Sequence, residues 1–293
     1  MVISASRATD IPAFYGTWFM ERLREGYCIR ENPFNILQKQ YVSFEKCKVI
    51  VFWTKNPAPF LPYLQEIRDM GYQYYFHYTL NTYAAEHLEP HLPPLSQRIA
   101  SFQQLSARIG AERLIWRYDP IIMGNTLSVA THVERIDALG RVLAPYTEKL
   151  VFSFLDMYAK AARALAKVDT SFCAPDADER LALASGIAKS NARWAHPLRL
   201  ATCAESHDLS ALGIHKNACI DVDLLLRLCP HDSEMEQHYT ACKHPKQGML
   251  LPLPCRQHRP KDTGQRAACG CADSKDIGKY ATCRHGCVYC YAQ

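Results

Sequence analysis

Three cysteines lie close together near the C-terminal end of the chain, in the pattern Cys283-x3-Cys287-x2-Cys290. Thiolates are soft ligands that suit iron and zinc. Three of them on one loop can hold three irons of a [4Fe–4S] cluster, which leaves one iron open to another ligand. A zinc site that combines these cysteines with His285 is the alternative. The spacing therefore predicts a metal site.

A second set of cysteines is spread more widely along the chain: Cys203, Cys219, Cys269 and Cys271. It predicts a four-thiolate site that holds either an auxiliary [4Fe–4S] cluster or structural zinc. Buried cysteines without a metal are the alternative, because cysteine also packs as a small apolar side chain. Three further cysteines have spacings that match no site, and we interpret them as free thiols: Cys229, Cys242 and Cys255.

The compartment can be inferred from the 13 cysteines of this 293-residue chain. No secretory signal follows Met1, and no stretch reaches the ~20 apolar residues of a membrane span. In a reducing cytosol, cysteines serve metal binding or catalysis more often than disulfides. The sequence predicts a cytoplasmic protein with metal sites, and disulfide cross-linking is the alternative.

The positive charge of the chain is concentrated in one segment. The net charge is +5, yet residues 243–284 contain nine Lys or Arg against three Asp. Such a segment can face nucleic acid or an anionic substrate. It can equally be a solvated surface that offsets the negative charge of thiolates.

Short apolar runs alternate with longer helical patterns along the chain. The predicted strands are residues 2–4, 48–53, 72–80, 113–118, 149–155 and 198–203, with a further short strand before Asp221. The predicted helices are residues 17–25, 60–70, 96–109, 127–143 and 178–194. Continuous apolar strands are typical of a sheet that is covered on both faces. The alternation predicts a parallel sheet with right-handed crossovers.

About six or seven such units favour an α/β fold of the (β/α) barrel type, closed or partial and TIM-barrel-like. No G-x-G-x-x-G follows the first strand, which disfavours a doubly wound nucleotide-binding sheet. We expect a barrel domain over residues 1–222. A cysteine-rich C-terminal segment over residues 223–293 is expected to pack on the barrel mouth. Residues 231–260 are rich in His, Pro and Cys and predict an irregular connection.

Polar residues follow each predicted strand, where the carboxyl-terminal rim of a barrel holds its functional site. They are Ser4, Ser6, Arg7, Asp10, Thr54, Lys55, Asn56, His77, Thr79, Asn81, Arg117, Asp119, Ser153, Asp156 and Glu205. For each of them a structural salt bridge or hydrogen bond at the rim is the alternative role. Together they predict a functional site at this end of the sheet.

Four motifs of the chain have a specific counterpart in a known family. They are SRATDIPAFY (6–15), FWTKNP (52–57), WRYDPI (116–121) and a C-terminal stretch with CGC (269–271), SKDIG (274–278) and the three clustered cysteines. In these motifs the chain resembles, nearly end to end, the bacterial family called domain of unknown function 1848. That family in turn resembles radical S-adenosylmethionine (SAM) enzymes, with the cysteine cluster at the C-terminus instead of after the first strand.

The resemblance implies that Cys283, Cys287 and Cys290 ligate a [4Fe–4S] cluster that reductively cleaves SAM and starts radical chemistry. Tyr289 matches the aromatic position that touches adenine in radical SAM enzymes. The implied partners are a small-molecule substrate and an electron donor such as flavodoxin or ferredoxin. One departure is that residues 53–57 stand where these enzymes bind the methionine amine through a Gly-Gly-Glu motif. In a barrel the first strand meets the last, so a loop after the last strand can reach the same rim.

Six rim residues receive roles under this hypothesis. The candidate catalytic residues are Lys55, Arg117 and Asp119. The candidate cofactor-binding residues, besides Tyr289, are Arg7, Asp10 and Glu205. The cations would clamp the SAM carboxylate or an anionic substrate, and the carboxylates would orient ribose hydroxyls or the cations. The alternative function is a non-catalytic zinc or iron–sulfur protein that binds nucleic acid or another anionic partner.

Overall fold

The computed structural model describes residues 1–32, 35–205, 207–240, 261–262, 265–266 and 268–292. Its strands are β1 (Val2–Ala5), β2 (Tyr27–Asn32), β3 (Asn35–Ser43), β4 (Val49–Thr54), β5 (Gln73–Thr79), β6 (Leu114–Ile121), β7 (Lys149–Phe154), β8 (Arg199–Thr202), β9 (His215–Lys216) and β10 (Lys275–Asp276). Its α-helices are α1 (Ile11–Phe14), α2 (Gly16–Glu25), α3 (Leu64–Asp69), α4 (Leu95–Ile109), α5 (Val129–Leu143), α6 (Ala159–Ala166), α7 (Ala177–Asn191), α8 (Val222–Leu228) and α9 (Ser233–Thr240). Short 3-10 helices span Ala58–Tyr63, Ala111–Arg113, Ala144–Tyr146 and Ser210–Leu212.

Eight of these strands form one sheet in the order β10-β1-β4-β5-β6-β7-β8-β9, and every neighbouring pair is parallel. The predicted α/β fold with a parallel sheet is therefore confirmed. β2 and β3 form a separate antiparallel hairpin, which the sequence analysis did not predict. Its strands mix charged and apolar residues, so they lack the continuous apolar run that marks the central strands.

The two faces of the sheet follow the two-residue period of a strand. Ile50, Phe52 and Phe76 lie in the apolar cluster that includes residues of α2, α4, α5 and α7. Val51 and Tyr75, one residue out of phase, lie in a second cluster with residues of α8 and α9 and with Cys269, Cys271 and Ala272. We call the face of this second cluster the inner face. Both faces are thus covered, as the continuous apolar strands predicted.

Local sequence signals set several helix ends. Ser128 caps α5, and Asp176 forms a capping box with Glu179 at the start of α7. Gly26 ends α2 with φ of 81°, a left-handed conformation that glycine adopts without strain. The helix predicted over residues 60–70 instead divides into the 3-10 helix Ala58–Tyr63 and α3. Pro62 lies inside the former, where it lacks the N–H of a continuous α-helix.

The edges of the sheet are β10 and β9. Among the described residues no strand pairing joins these two edges, so closure of the predicted barrel stays a prediction. The segments next to the two edge strands nevertheless meet. The amide of Ala272, before β10, donates to the carbonyl oxygen of Ile220, after β9, over 3.0 Å. Described residues of α8, of α9 and of the segment 269–272 pack on the inner face between these two edge strands.

The C-terminal segment contributes to the sheet as well as covering it. β10 pairs in parallel with β1, with Ile3 opposite Lys275 and Ser4 opposite Asp276. Residues 241–260, which include Cys242, Cys255 and most of the predicted irregular connection, lie outside the described residues. Within the described part of the chain, no helix is long and apolar enough to cross a membrane.

Candidate functional site

All eight strands of the main sheet are parallel, so their carboxyl ends lie along the same side of the sheet. We call this side, which runs across all the strands, the carboxyl edge. Side chains of the inner face at this edge are polar and buried: Ser4, His77, Arg117 and Ser153. Burial of polar groups is tolerated where they are hydrogen-bonded to one another. The predicted concentration of polar residues at the strand ends is therefore found at one edge, where two groups of cysteines adjoin it.

The loop of residues 283–290, which we call the cysteine loop, is fixed to the carboxyl end of β1. Nε2 of the buried His285 donates to Oδ2 of Asp10 over 2.7 Å, and the imidazole packs on Phe14 with ring centroids 4.6 Å apart. The pairing of β10 with β1 places the residues after both strands at the same edge.

A second anchor of the cysteine loop is a buried group around Glu89. Nζ of Lys55 donates to Oε1 of Glu89 over 2.7 Å and to the phenol oxygen of Tyr289 over 2.9 Å. The Tyr289 hydroxyl donates to the same Glu89 oxygen. Arg98 lies 3.7 Å from the other carboxylate oxygen. Burial opposes ionisation of Glu89, but Lys55, the Tyr289 hydroxyl and the charge of Arg98 together outweigh it and lower the pKa of this carboxyl below its usual range.

The three thiols of the cysteine loop influence one another electrostatically. Burial raises the pKa of Cys287 to about 12, and the charges of Glu89, Cys290 and Cys283 act in the same direction. Lys55 acts in the opposite direction and favours the thiolate. A cation of the protein or of a bound metal would therefore be needed to hold these sulfurs as thiolates. None of the three forms a disulfide.

Asn81 connects this group to the next strand. Its Nδ2 donates to the Tyr289 phenol oxygen over 3.2 Å and to the Asp119 carbonyl oxygen over 3.0 Å, and its Oδ1 accepts from the Asp119 amide over 3.0 Å. The Asp119 carboxylate in turn accepts from Arg117, with Nε at 3.1 Å, and from the hydroxyl of Ser153. A continuous polar network thus runs from Lys55 to Arg117.

Arg117 leads to the second cysteine group, which contains Cys203, Cys219, Cys269 and Cys271. The sulfurs of Cys203 and Cys219 are 3.6 Å apart. The amide of Cys219 donates to Sγ of Cys271 over 3.1 Å, and the amide of Cys271 donates to Sγ of Cys269 over 3.5 Å. These cysteines come from the end of β8, from the segment after β9 and from the segment before β10. The structure therefore brings together the four cysteines that the sequence analysis grouped.

Several N–H groups point at two of these sulfurs. Sγ of Cys219 accepts from Nη1 of Arg117 over 3.0 Å and from Nδ2 of Asn217 over 3.2 Å. Sγ of Cys271 accepts from the amide of Cys219 over 3.1 Å and from that of Ile220 over 3.5 Å. Thiol sulfur is a weak acceptor, so these donors favour thiolates, whereas the neighbouring cysteines and burial raise the pKa of Cys219 and Cys271.

His77 supports the same segment from β5. Its Nε2 lies 2.9 Å from the Cys219 carbonyl oxygen, which can only accept, so the ring is protonated at Nε2. Burial and the charge of Arg117 lower the pKa of His77 well below its usual value. The imidazole stacks on Trp53, and the guanidinium of Arg7 lies 4.9 Å from the Trp53 ring centroid. Neutral His77 and charged Arg7 thereby lie on the Trp53 side chain beside the second cysteine group.

The candidate residues fall into two sets around these groups. Asp10, Lys55 and Tyr289 lie at the cysteine loop. The other set lies at the second cysteine group: Arg7, whose pKa is raised against the effect of burial by charges that include Cys271, with Arg117 and its partner Asp119. Glu205 lies apart from both, where it accepts from the amide of Phe154 over 3.1 Å and faces Arg180 at 3.8 Å. Burial raises the pKa of Glu205.

Two residues of the network were not selected from the sequence as site residues. Glu89 lies in an aperiodic stretch after β5, and no local pattern marks it. Asn81 was recognised as a strand-end residue, but its connecting role depends on contacts across strands. Cys229 is half-buried, with its pKa raised by burial, and lies in neither cysteine group. Within the described part of the chain, no group of three or more His, Cys, Asp or Glu side chains is arranged to hold a metal ion.

The fold and the site define an α/β protein with two cysteine groups at the carboxyl edge of a parallel sheet. The chain matches the family described as Domain of unknown function (DUF1848) over residues 2–292, and it belongs to that family. No curated protein matches the chain. No solved structure matches it either.

Proposed function

We propose that this chain is an iron–sulfur enzyme of the radical SAM type, in which Cys283, Cys287 and Cys290 hold a [4Fe–4S] cluster. One observation carries the proposal. The parallel pairing of β10 with β1 puts the cysteine loop at the carboxyl end of the first strand, although the loop comes last in the chain. This is the edge at which (β/α) proteins place their functional residues. The same reasoning supports a partial barrel formed by the eight strands.

The donor set of the cysteine loop fits such a cluster. Its three thiols are free, close in sequence and electrostatically coupled, and soft thiolates are the ligands that iron–sulfur clusters use. Because the described side chains form no ready-made metal site, the cysteines must rotate about their Cα–Cβ bonds to bind one. Three protein ligands leave one iron free for a ligand from outside the protein.

When bound, the cluster would supply the electron that cleaves SAM reductively, after receiving it from a donor such as flavodoxin or ferredoxin. Residues of this chain would place charged groups next to the cluster ligands. Lys55 lies near enough to Cys287 for each charge to shift the other's pKa. The ammonium group therefore favours the thiolate form of the ligand. Glu89 and Tyr289 fix the position of Lys55 through the hydrogen bonds described above.

Two of the remaining candidates, Arg117 and Arg7, would serve substrate and cofactor binding. Arg117, with its partner Asp119, and Arg7 present buried or half-buried guanidinium groups next to the polar network, and such groups bind carboxylates with directional hydrogen bonds. Asp10 is occupied by three protein donors, so we assign it the positioning of the cysteine loop rather than contact with SAM. A cytoplasmic location and a small-molecule substrate follow from the same proposal.

Anaerobic purification followed by metal analysis tests the proposal. We expect a brown protein that absorbs near ~400 nm and contains iron and sulfide. With a strong reductant and SAM it should produce 5′-deoxyadenosine. Cys287→Ser should lose iron and this activity, whereas Cys28→Ser, at a buried cysteine outside both groups, should keep them. A reconstituted cluster that never cleaves SAM contradicts the enzymatic proposal. Colourless protein containing only zinc would favour the non-catalytic alternative.

A further inference from the structure

We propose that Cys203, Cys219, Cys269 and Cys271 bind one zinc ion in tetrahedral coordination, independently of the cysteine loop. Four thiolates are a common ligand set of structural zinc sites. The four residues come from three separate segments, at the ends of β8 and β9 and before β10. A metal ion bound by them would connect the chain at both edges of the sheet.

The spacing of the sulfurs favours a single metal ion. Sulfurs that share one tetrahedral zinc, each ~2.3 Å from it, stand ~3.8 Å apart. The observed separation between Cys203 and Cys219 is 3.6 Å. Thiolates of a [4Fe–4S] cluster bind different irons and must therefore stand further apart. This one distance agrees with a shared zinc ion rather than a cluster. Because the described side chains are not arranged as a ready-made metal site, the other sulfurs must move when the ion binds.

Hydrogen bonds and charge around the sulfurs point to the same ligand. Sγ of Cys219 and Sγ of Cys271 each accept two N–H groups, as metal-bound thiolates do through neighbouring donors. Zinc with four thiolates carries a net charge of −2, which is costly to bury unless cations compensate it. Arg117, which is also paired with Asp119, donates to Cys219, and the charge of Cys271 raises the pKa of Arg7, so two guanidinium groups offset part of this charge.

The sulfurs of Cys203 and Cys219 now lie within hydrogen-bond distance of each other, and zinc would replace the thiol protons of the four cysteines. Binding converts four thiols and Zn²⁺ into one tetrathiolate complex and releases four protons to solvent, with no change of oxidation state. No described cysteine forms a disulfide. The expected consequence is structural, because the site joins the end of β8 to the segments beside the two edge strands.

The test uses the full chain carrying Cys283→Ser, Cys287→Ser and Cys290→Ser together, so that the cysteine loop cannot bind metal. We expect this anaerobically purified variant to contain about one zinc per chain, with four sulfur ligands at ~2.3 Å in its zinc-edge X-ray absorption spectrum. Adding Cys271→Ser should remove the zinc. Adding Cys47→Ser, at a buried cysteine outside both groups, should leave it in place.

Zinc retained after Cys271→Ser would overturn the proposal, as would nitrogen or oxygen ligands in the spectrum. Iron with sulfide at these four cysteines, or a Cys203–Cys219 disulfide, would also overturn it. If the variants fold poorly, the zinc-edge X-ray absorption spectrum of the unsubstituted chain provides a second measurement of the ligands. These outcomes are independent of SAM cleavage, so the zinc site and the proposed enzymatic function can fail separately.

Discussion

His285 and Asp10 join the last loop of the chain to its first strand, through a hydrogen bond of 2.7 Å between Nε2 and Oδ2. The carboxylate of Asp10 also accepts from the amide of Lys55 over 2.7 Å and from the amide of Ala13 over 2.9 Å. One buried side chain therefore satisfies donors from three segments. Its removal would leave buried N–H groups without acceptors, which proteins rarely tolerate.

Asp10→Ala is expected to lower the free energy of unfolding by about 3 kcal/mol, from the lost helix cap and the unsatisfied donors. The variant should also lose iron, because the cysteine loop is no longer fixed. Urea unfolding and iron analysis of anaerobic protein measure both effects. Asp176→Ala, at the cap of α7, is the matched control and should cost about 1 kcal/mol with iron unchanged. Equal effects of the two substitutions would contradict the assigned role of Asp10.

Lys55 and Glu89 are expected to be strongly coupled. Lys55→Met leaves a buried carboxylate with Arg98 at 3.7 Å as its remaining cation, and breaking such a pair typically costs about 3–5 kcal/mol. Adding Glu89→Gln should restore part of this loss, because the stranded charge is removed. A double-mutant cycle by urea unfolding measures the coupling. The exposed pair Arg24 and Glu66 is the control, and a coupling no larger than that of the control would refute the expectation.

The central strands could be predicted because their signal is local. β4 and β7 are continuous apolar runs, and a run covered on both faces has the same composition wherever it lies in the sheet. β10 consists of Lys275 and Asp276, which have no strand-like pattern. It is a strand because β1 offers a free edge beside it. Its position depends on tertiary structure, which a local pattern does not record.

The residues of the candidate site also divide into those that a local sequence pattern marks and those that only tertiary contacts reveal. Lys55 and Arg117 could be selected because they follow recognisable strands, and polar residues at strand ends meet at one edge of a parallel sheet. Glu89 lies ten residues beyond the end of β5, in a stretch without periodicity. Its importance comes from the four side chains that converge on it, those of Lys55, Asn81, Arg98 and Tyr289. The assignment of Glu205 to cofactor binding relied on strand position alone, and its observed contacts are with Phe154 and Arg180.

Tyr289→Phe removes the hydroxyl of this residue and keeps its ring, so it tests the contribution of the hydroxyl alone. The hydroxyl donates to Glu89 and accepts from Lys55 and Asn81, so its loss is expected to cost about 1–3 kcal/mol. Iron content should be unchanged, because the ring still packs beside Tyr83. Urea unfolding and iron analysis test this.

Tyr83→Phe is the matched control for Tyr289→Phe, since the Tyr83 hydroxyl makes one hydrogen bond, to the Pro120 carbonyl oxygen. It should cost less than Tyr289→Phe, at about 1 kcal/mol. If Tyr289→Phe were as stable as the unsubstituted protein, the network around Glu89 would not depend on the phenol, and the role of Lys55 would need another explanation.

His132 is expected to make stability fall as the pH falls from 7 to 5. The ring is buried, with Nε2 donating to the Ile122 carbonyl oxygen over 2.7 Å, and burial lowers its pKa from 6.5 to about 4. Below pH 6.5 the unfolded chain therefore binds a proton that the folded chain does not, and this favours unfolding. Between pH 7 and 5 the unsubstituted protein should lose about 2 kcal/mol more than His132→Gln. Urea unfolding at both pH values measures this difference, in which groups common to both proteins cancel. An equal loss in the two proteins would show that His132 keeps an ordinary pKa in the folded state.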